Sequence, residues 1–262
     1  MKHTILCFSG TGNSYYVASK LAEGLDNAPV VMIPDLMENP QLELTEAVGF
    51  VFPTHYFLPP VMIVEFIEQV IHHFDWSAVQ YCYAVTTKNL TGGWAQKIVE
   101  ILLHNQGIAL AYTSSVRFAN TYIPLFTAPN ILQIEFYYKH ADKKIAKIIQ
   151  ELTSETIRPP YRPPFTRMVI ENHMSNRFEK TLRFAADSFL VTNACDGCEL
   201  CYRICPSGTI TMVDEKPTFG LTCTSCLACY HRCPKEAIVF NRRVSSGHYP
   251  NVESNFDKEY RE

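Results

Sequence analysis

Thr4-Ile-Leu-Cys-Phe-Ser-Gly-Thr-Gly-Asn-Ser14 sets the architecture of the first half of the chain. Thr4 to Phe8 is a short apolar run that suits a buried strand. Ser9 to Ser14 is a Gly and hydroxyl turn, and Asn13 to Leu25 carries Tyr16, Val17, Leu21 and Leu25 at helical spacing. A turn of this kind exposes backbone N–H groups at a helix N-terminus, where they can hold a phosphate without a cationic side chain. The hydroxyls of Ser9, Thr11 and Ser14 and the amide of Asn13 can add donors. The turn is not Gly-x-Gly-x-x-Gly, because position 15 is Tyr, and no Lys follows Gly12 as a Walker loop requires. The plain reading is a βα turn with Asn13 or Ser14 as N-cap.

Apolar strands alternate with helical patterns over the first ~150 residues, which argues for a parallel sheet covered by helices. Strands are expected at Val30–Ile33, Ala47–Phe52, Val79–Thr86 and Ile108–Phe118. Helices are expected at Val61–Phe74, Gly93–Asn105 and Glu135–Leu152. The loops after the third and fourth strands are Pro53 to Pro60 and Thr86 to Gly93. The first offers Thr54, His55, Tyr56 and Phe57 between prolines; the second offers Thr86, Thr87, Gly92 and Gly93. In open α/β sheets, ligands bind at the carboxyl ends of such neighbouring strands. An aromatic in such a loop serves equally well as core.

At Ser9 to Ser14 the chain resembles flavodoxins, whose phosphate loop reads Ser/Thr-x-Thr-Gly-Asn-Ser/Thr. The resemblance implies a five-stranded parallel sheet of order 2-1-3-4-5 and bound FMN. It implies that the phosphate lies on Ser9, Thr11, Gly12, Asn13 and Ser14. The isoalloxazine would lie between the 53–58 loop and the 86–93 loop, with Tyr56 or Phe57 as the stacking ring. Asn120 to Tyr122, after the fifth strand, would approach the ring.

Beyond the sheet the composition changes. Arg158 to Pro164 holds four prolines in seven residues, an extended spacer by composition, and Met168 to Ser188 reads as a bridging helix. Then come 8 of the chain's 10 cysteines, all between positions 195 and 233. Cys195, Cys198, Cys201, Cys205 and Pro206 recur 28 residues later as Cys223, Cys226, Cys229, Cys233 and Pro234. Structural zinc needs only paired Cys hooks with four ligands per site, and disulfide scaffolds spread cysteines through small secreted chains. A third Cys two residues on, followed by Cys-Pro, points instead to iron–sulfur clusters. Cys7 and Cys82 fall inside expected strands and read as core thiols.

Residues 188–240 resemble bacterial two-cluster ferredoxins, whose known signature is this run. The resemblance implies two 4Fe–4S clusters with crossed ligands: Cys195, Cys198, Cys201 and Cys233 on one, Cys223, Cys226, Cys229 and Cys205 on the other. Ferredoxins of this kind are strongly acidic, whereas this segment carries 4 basic and 5 acidic residues, so a partner selected by a negative patch is not expected. The whole chain resembles a fusion family, a flavodoxin-like domain followed by a bacterial ferredoxin. The expected organisation is 1–155 FMN-binding domain, 156–187 linker and bridging helix, 188–240 small α+β ferredoxin domain, and 241–262 tail.

Of 262 residues, 47% are hydrophobic and 19% charged, with 23 basic and 26 acidic residues and a net charge of −3. That excludes nucleic-acid binding driven by bulk positive charge. The longest uncharged stretch, Ala47 to Val64, is broken by Pro53, Pro59 and Pro60, so no membrane span is expected. With no secretory leader in view and clustered cysteines, a cytoplasmic location is expected. The expected function is electron transfer among FMN, the two clusters and an external donor or acceptor protein. A flavin-dependent reductase of a small molecule and a redox-sensing binding module are the competing readings. No residue stands out as a general acid or base, and nothing in the sequence speaks to oligomeric state.

Overall fold

The computed structural model describes residues 1–123, 126–160, 186–240 and 247–249. β1 (His3–Cys7), β2 (Val30–Met32), β3 (Ala47–Pro53), β4 (Tyr81–Lys88) and β5 (Leu110–Arg117) form one sheet of order β2-β1-β3-β4-β5. Every pairing in it is parallel. The order is the flavodoxin-like one. β1 and the first six residues of β3 are buried throughout, as strands covered on both faces must be.

Two apolar layers cover the sheet. One packs α1 (Asn13–Gly24) and α5 (Ile131–Thr153) through Val17, Leu21, Ile145 and Ile148. The other packs α2 (Ile33–Glu38), α3 (Val61–Glu65) and α4 (Ala95–Asn105) through Leu36, Ile63, Val99 and Leu103. Each of these fully buried aliphatic side chains contributes about 1.5–3 kcal/mol. α3 continues through a π turn, Phe66–Val70, and a 3-10 turn ending at His73. β2 is one residue shorter than expected because Pro34 starts α2, taking Ile33 into the first turn of that helix. α5 starts four residues before the expected Glu135. Asn130 and Gln133 form a capping box that satisfies the helix's first free N–H groups.

The expected spacer does not leave the sheet at Arg158. Its N–H donates to the Ala111 carbonyl and its carbonyl accepts from Thr113, pairing it with the edge of β5. Its guanidinium makes two hydrogen bonds to Glu151 and lies over the Tyr112 ring. The rest of the Pro-rich run, and the bridging helix apart from a 3-10 turn at Ala186–Ser188, lie outside the described residues.

The cysteine-rich part is small and α+β. β6 (Phe189–Val191) pairs antiparallel with β9 (Ile238–Phe240), and β7 (Ile210–Val213) with β8 (Lys216–Phe219). α6 (Leu200–Arg203) and α7 (Ala228–Arg232) each carry the third cysteine of a repeat copy, Cys201 and Cys229. The repeat extends to the backbone. Positive φ occurs at Gly197 and Ser225, at Glu199 and Leu227, and at Gly208 and Glu236, each pair 28 apart. The two copies therefore share one chain path, not only one spacing. Cys7 and Cys82 are buried in β1 and β4, and burial pushes the Cys82 thiol up to about 12.

Candidate cofactor sites

One cavity of about 290 Å³ lies at the carboxyl ends of β1, β3, β4 and β5. It is close to the lower end of the range for small-molecule sites, about 300–1,000 Å³. Ser9, Thr11, Asn13 and Ser14 border it from the loop after β1, and Pro53, Thr54, His55, Tyr56 and Phe57 from the loop after β3. Thr87 borders it from β4.

The β1 loop is shaped as an anion nest. Gly12 adopts φ 96°, a conformation open to glycine, and starts α1; its N–H donates to the Ser9 hydroxyl. The N–H groups of Gly10, Thr11, Asn13 and Ser14 make no hydrogen bond among the described residues. The first turn of α1 contains no acidic side chain to compete for them. Ser14 shares its hydroxyl with Thr87 across 2.8 Å, tying the nest to β4. Thr54 Oγ1 is a buried polar atom with no partner among the described residues, on the cavity wall. Free donors at a helix N-terminus and an orphaned hydroxyl beside aromatics fit a phosphate-bearing, ring-containing cofactor such as FMN.

The aromatic loop is held in a tight turn. Tyr56 and Phe57 both have positive φ, and His55 and Leu58 exchange two backbone hydrogen bonds across them. Tyr56 meets Tyr122 edge-on at 4.9 Å. His55 packs against Phe8, and burial lowers its pKa to about 4, so it stays neutral.

Four of the expected contacts do not border the cavity: Gly12, Thr86, Gly92 and Gly93. Gly12 lies behind the nest, its carbonyl accepting from Tyr16. Thr86 is buried and accepts a hydrogen bond from Gln96 of α4. Gly93 makes a close approach to protein. It has φ 51°, a Cβ there would meet Phe57 at 2.4 Å, and the next N–H, of Trp94, donates to the Phe57 carbonyl. A Cβ on Gly92 would meet the Lys88 side chain at 3.6 Å, and its carbonyl accepts from Ala95. The wall is completed instead by Lys88 to Thr91, by Phe118 to Tyr122 with the half-exposed Phe126, and by Ser225, Cys226 and Leu227 from the cysteine repeat. Asn120 to Tyr122 is where the sequence had set it. The 225–227 contribution depends on how the repeat packs against the sheet, which no local pattern encodes.

All ten cysteines are free thiols. Two further cavities of about 20 Å³ each sort the repeat. Cys195, Cys198, Cys201 and Cys233 ring one; Cys205, Cys223, Cys226 and Cys229 ring the other. Each combines three cysteines of one copy with the fourth of its mate. Among the described residues no group of three or more His, Cys, Asp or Glu side chains is arranged to hold a single metal ion. Sulfurs spaced around a void fit a cluster, which bridges them with several irons. Burial pushes the Cys201 and Cys226 thiols up to about 11 and raises Cys229 well above the ordinary thiol value. Iron would favour the thiolates against that penalty.

Cys226 borders both the large cavity and one cysteine cavity. A Cβ on Gly10 would meet its carbonyl oxygen at 2.6 Å. His231 of α7 donates from Nε2 to the Thr121 carbonyl at 2.8 Å, and burial lowers its pKa to about 4. The repeat is thus packed on the nest at one point and on the β5 loop at another.

Residues 171–238 match the 4Fe-4S dicluster domain family, starting earlier than the 188 expected from the cysteines. No curated protein matches the chain. Solved structures that resemble it include the Trp repressor binding protein from Bacillus subtilis, 14% identical, covering 58% of this chain and 96% of that one, with a TM-score of 0.40. Rubredoxin oxygen:oxidoreductase from the anaerobe Desulfovibrio gigas is 15% identical over 57% of this chain and 36% of that one, TM-score 0.36. A flavodoxin from the domain Archaea is 14% identical over 57% and 99%, TM-score 0.33. The strand order, not these likenesses, carries the fold. Among the described residues no helix is long and apolar enough to cross a membrane.

Proposed function

We propose that this chain, which joins a flavodoxin-like sheet domain to a 4Fe–4S dicluster domain, is an electron-transfer iron–sulfur flavoprotein. It would hold FMN in the large cavity and one 4Fe–4S cluster in each ring of four cysteines, and exchange electrons with an external donor or acceptor protein. The observation that carries the reading is the position of Cys226, on the wall of both a cluster cavity and the cavity at the sheet's edge. When bound, a flavin exchanges one or two electrons and each cluster one, so the pairing suits a converter between single- and two-electron carriers.

The chain's own residues supply the holding. The N–H groups of Gly10, Thr11, Asn13 and Ser14, without hydrogen-bond partners among the described residues, suit a phosphate at the positive end of α1. Tyr56, Phe57 and Tyr122 offer apolar surface for a ring system, and Thr54 Oγ1 a polar contact. The neutral His55 adds no charge there. Around Cys223, Cys226 and Cys229, Phe189, Phe219 and Leu227 supply apolar surface.

Purification without oxygen, with iron, sulfide and FMN counted, tests the reading. About eight irons, eight sulfides and one FMN per chain are expected. Iron without flavin would overturn the sheet domain's part in it. Zinc, or no metal, would overturn the clusters.

A further inference from the structure

Tyr249 is 2% exposed, at the end of the short described piece of tail, residues 247–249. Its hydroxyl donates to Asn13 Oδ1 at 2.8 Å, and its backbone N–H donates to His231 Nδ1 at 3.0 Å. Because Nδ1 accepts, the imidazole proton sits on Nε2, which donates to the Thr121 carbonyl. One residue therefore grips the first residue of α1 with its side chain and α7 with its backbone. The neighbours fix it there. His248 stacks on Tyr230 at 4.4 Å and donates to its carbonyl, while the Tyr230 hydroxyl donates to the Gly247 carbonyl.

The grip has a chemical consequence at the nest. Asn13 borders the large cavity, and its Oδ1 accepts from Tyr249 and, at 3.3 Å, from Tyr138 of α5. An Asn side chain is an acceptor at one end and a double donor at the other. With the oxygen taken by two hydroxyls, only the donor end remains for an anion. Released, the amide could turn its oxygen toward a phosphate and repel it.

We propose that Tyr249 is a positioning residue that selects the donor face of Asn13 for a phosphate and couples phosphate binding to the seating of α7 on the sheet domain. This rests on the reading of Ser9 to Ser14 as the FMN phosphate loop. By linkage, whatever fixes the loop also fixes α7, and the reverse holds to the same degree.

The test uses the full chain with its metal content intact and flavin removed, titrated with FMN and with riboflavin, which lacks the phosphate. Amide exchange of residues 228–232 is followed in parallel. In the unmodified protein, FMN should slow that exchange and riboflavin should not; equal protection by both would overturn the proposal. Tyr249→Phe keeps the ring and the backbone bond to His231 but loses one hydrogen bond. It should weaken FMN roughly 3- to 10-fold and leave riboflavin unchanged. Tyr138→Phe, with iron content as a check on folding, should weaken FMN less. Unchanged FMN affinity in Tyr249→Phe, or an equal loss for both flavins, would show a merely structural role and overturn the proposal. A wild-type chain that binds riboflavin but gains nothing from the phosphate would instead overturn the reading of the loop itself.

Discussion

The two cysteine rings share a motif and a backbone path, yet their surroundings differ. Around the ring of Cys195, Cys198, Cys201 and Cys233, Cys198 is exposed, and Asp196, Glu199 and Lys235 stand at the rim. Around the ring of Cys205, Cys223, Cys226 and Cys229, Cys229 is buried and the lining is mostly apolar, with Phe189, Phe219 and Leu227. One copy of the repeat faces water and the other faces the sheet domain. Two equal sequence units acquire different properties because only one of them is packed at Gly10 and Thr121. Solvent exposure and burial are among the factors that set cluster potentials, so equal spacing does not mean equal chemistry.

The largest break in that comparison is to remove the metal. The apolar cluster of the repeat is built on its own cysteines together with Phe189, Ile210, Tyr230 and Ile238. Chelation under reducing conditions should therefore abolish amide protection across 186–240 while the sheet domain keeps its own, because ligand binding there is folding energy. Retained protection across 186–240 without metal would contradict this. Next in size, Cys229→Ser should cost about four irons and a large fall in melting temperature, since it opens the buried ring. Cys198→Ser, at the exposed ring, should cost about the same iron with a smaller fall. Equal falls would erase the distinction between the rings.

Gly10→Ala separates the two rings without touching a sulfur. The new Cβ meets the Cys226 carbonyl, and backbone there cannot give way cheaply. A loss of about 1–3 kcal/mol is expected from thermal or denaturant unfolding, with the 225–227 loop displaced. The smallest effect lies at the far edge of the sheet. Hydrogen bonding to Arg158 holds the Glu151 carboxyl down at about 2, against an ordinary value of 4.5. A depressed acid stabilises the fold fully above its ordinary value and loses that contribution as pH falls toward 2. Because Arg158 is partly exposed, Glu151→Gln should cost at most about 1 kcal/mol at pH 7 and flatten the stability profile between pH 4.5 and 2.

Much of this was legible in the residues. The repeated cysteine spacing carries the resemblance to two-cluster ferredoxins, and that resemblance implies the crossed grouping in which the two rings of four cysteines are found. The Ser9 to Ser14 turn announces itself because few residues other than Gly12 accept its φ. Local pattern failed where a residue's duty is owed to a distant one. Gly93 reads as room for a ligand but serves the close approach of Phe57. Thr86 sits one position too early on β4, so its side chain meets Gln96 while Thr87 reaches the cavity, the alternation of a strand deciding between neighbours. Ser225, His231 and Tyr249 gave no signal, since their roles exist only once the repeat and the tail pack on the sheet.

The most direct test of the account is anomalous diffraction at the iron edge from crystals of anaerobically prepared protein. Two iron clusters are expected, each bound by three cysteines of one repeat and the fourth of the other, with flavin density in the cavity that Cys226 borders. Uncrossed ligand sets, single-metal peaks, or flavin elsewhere than at the Ser9 to Ser14 loop would contradict it.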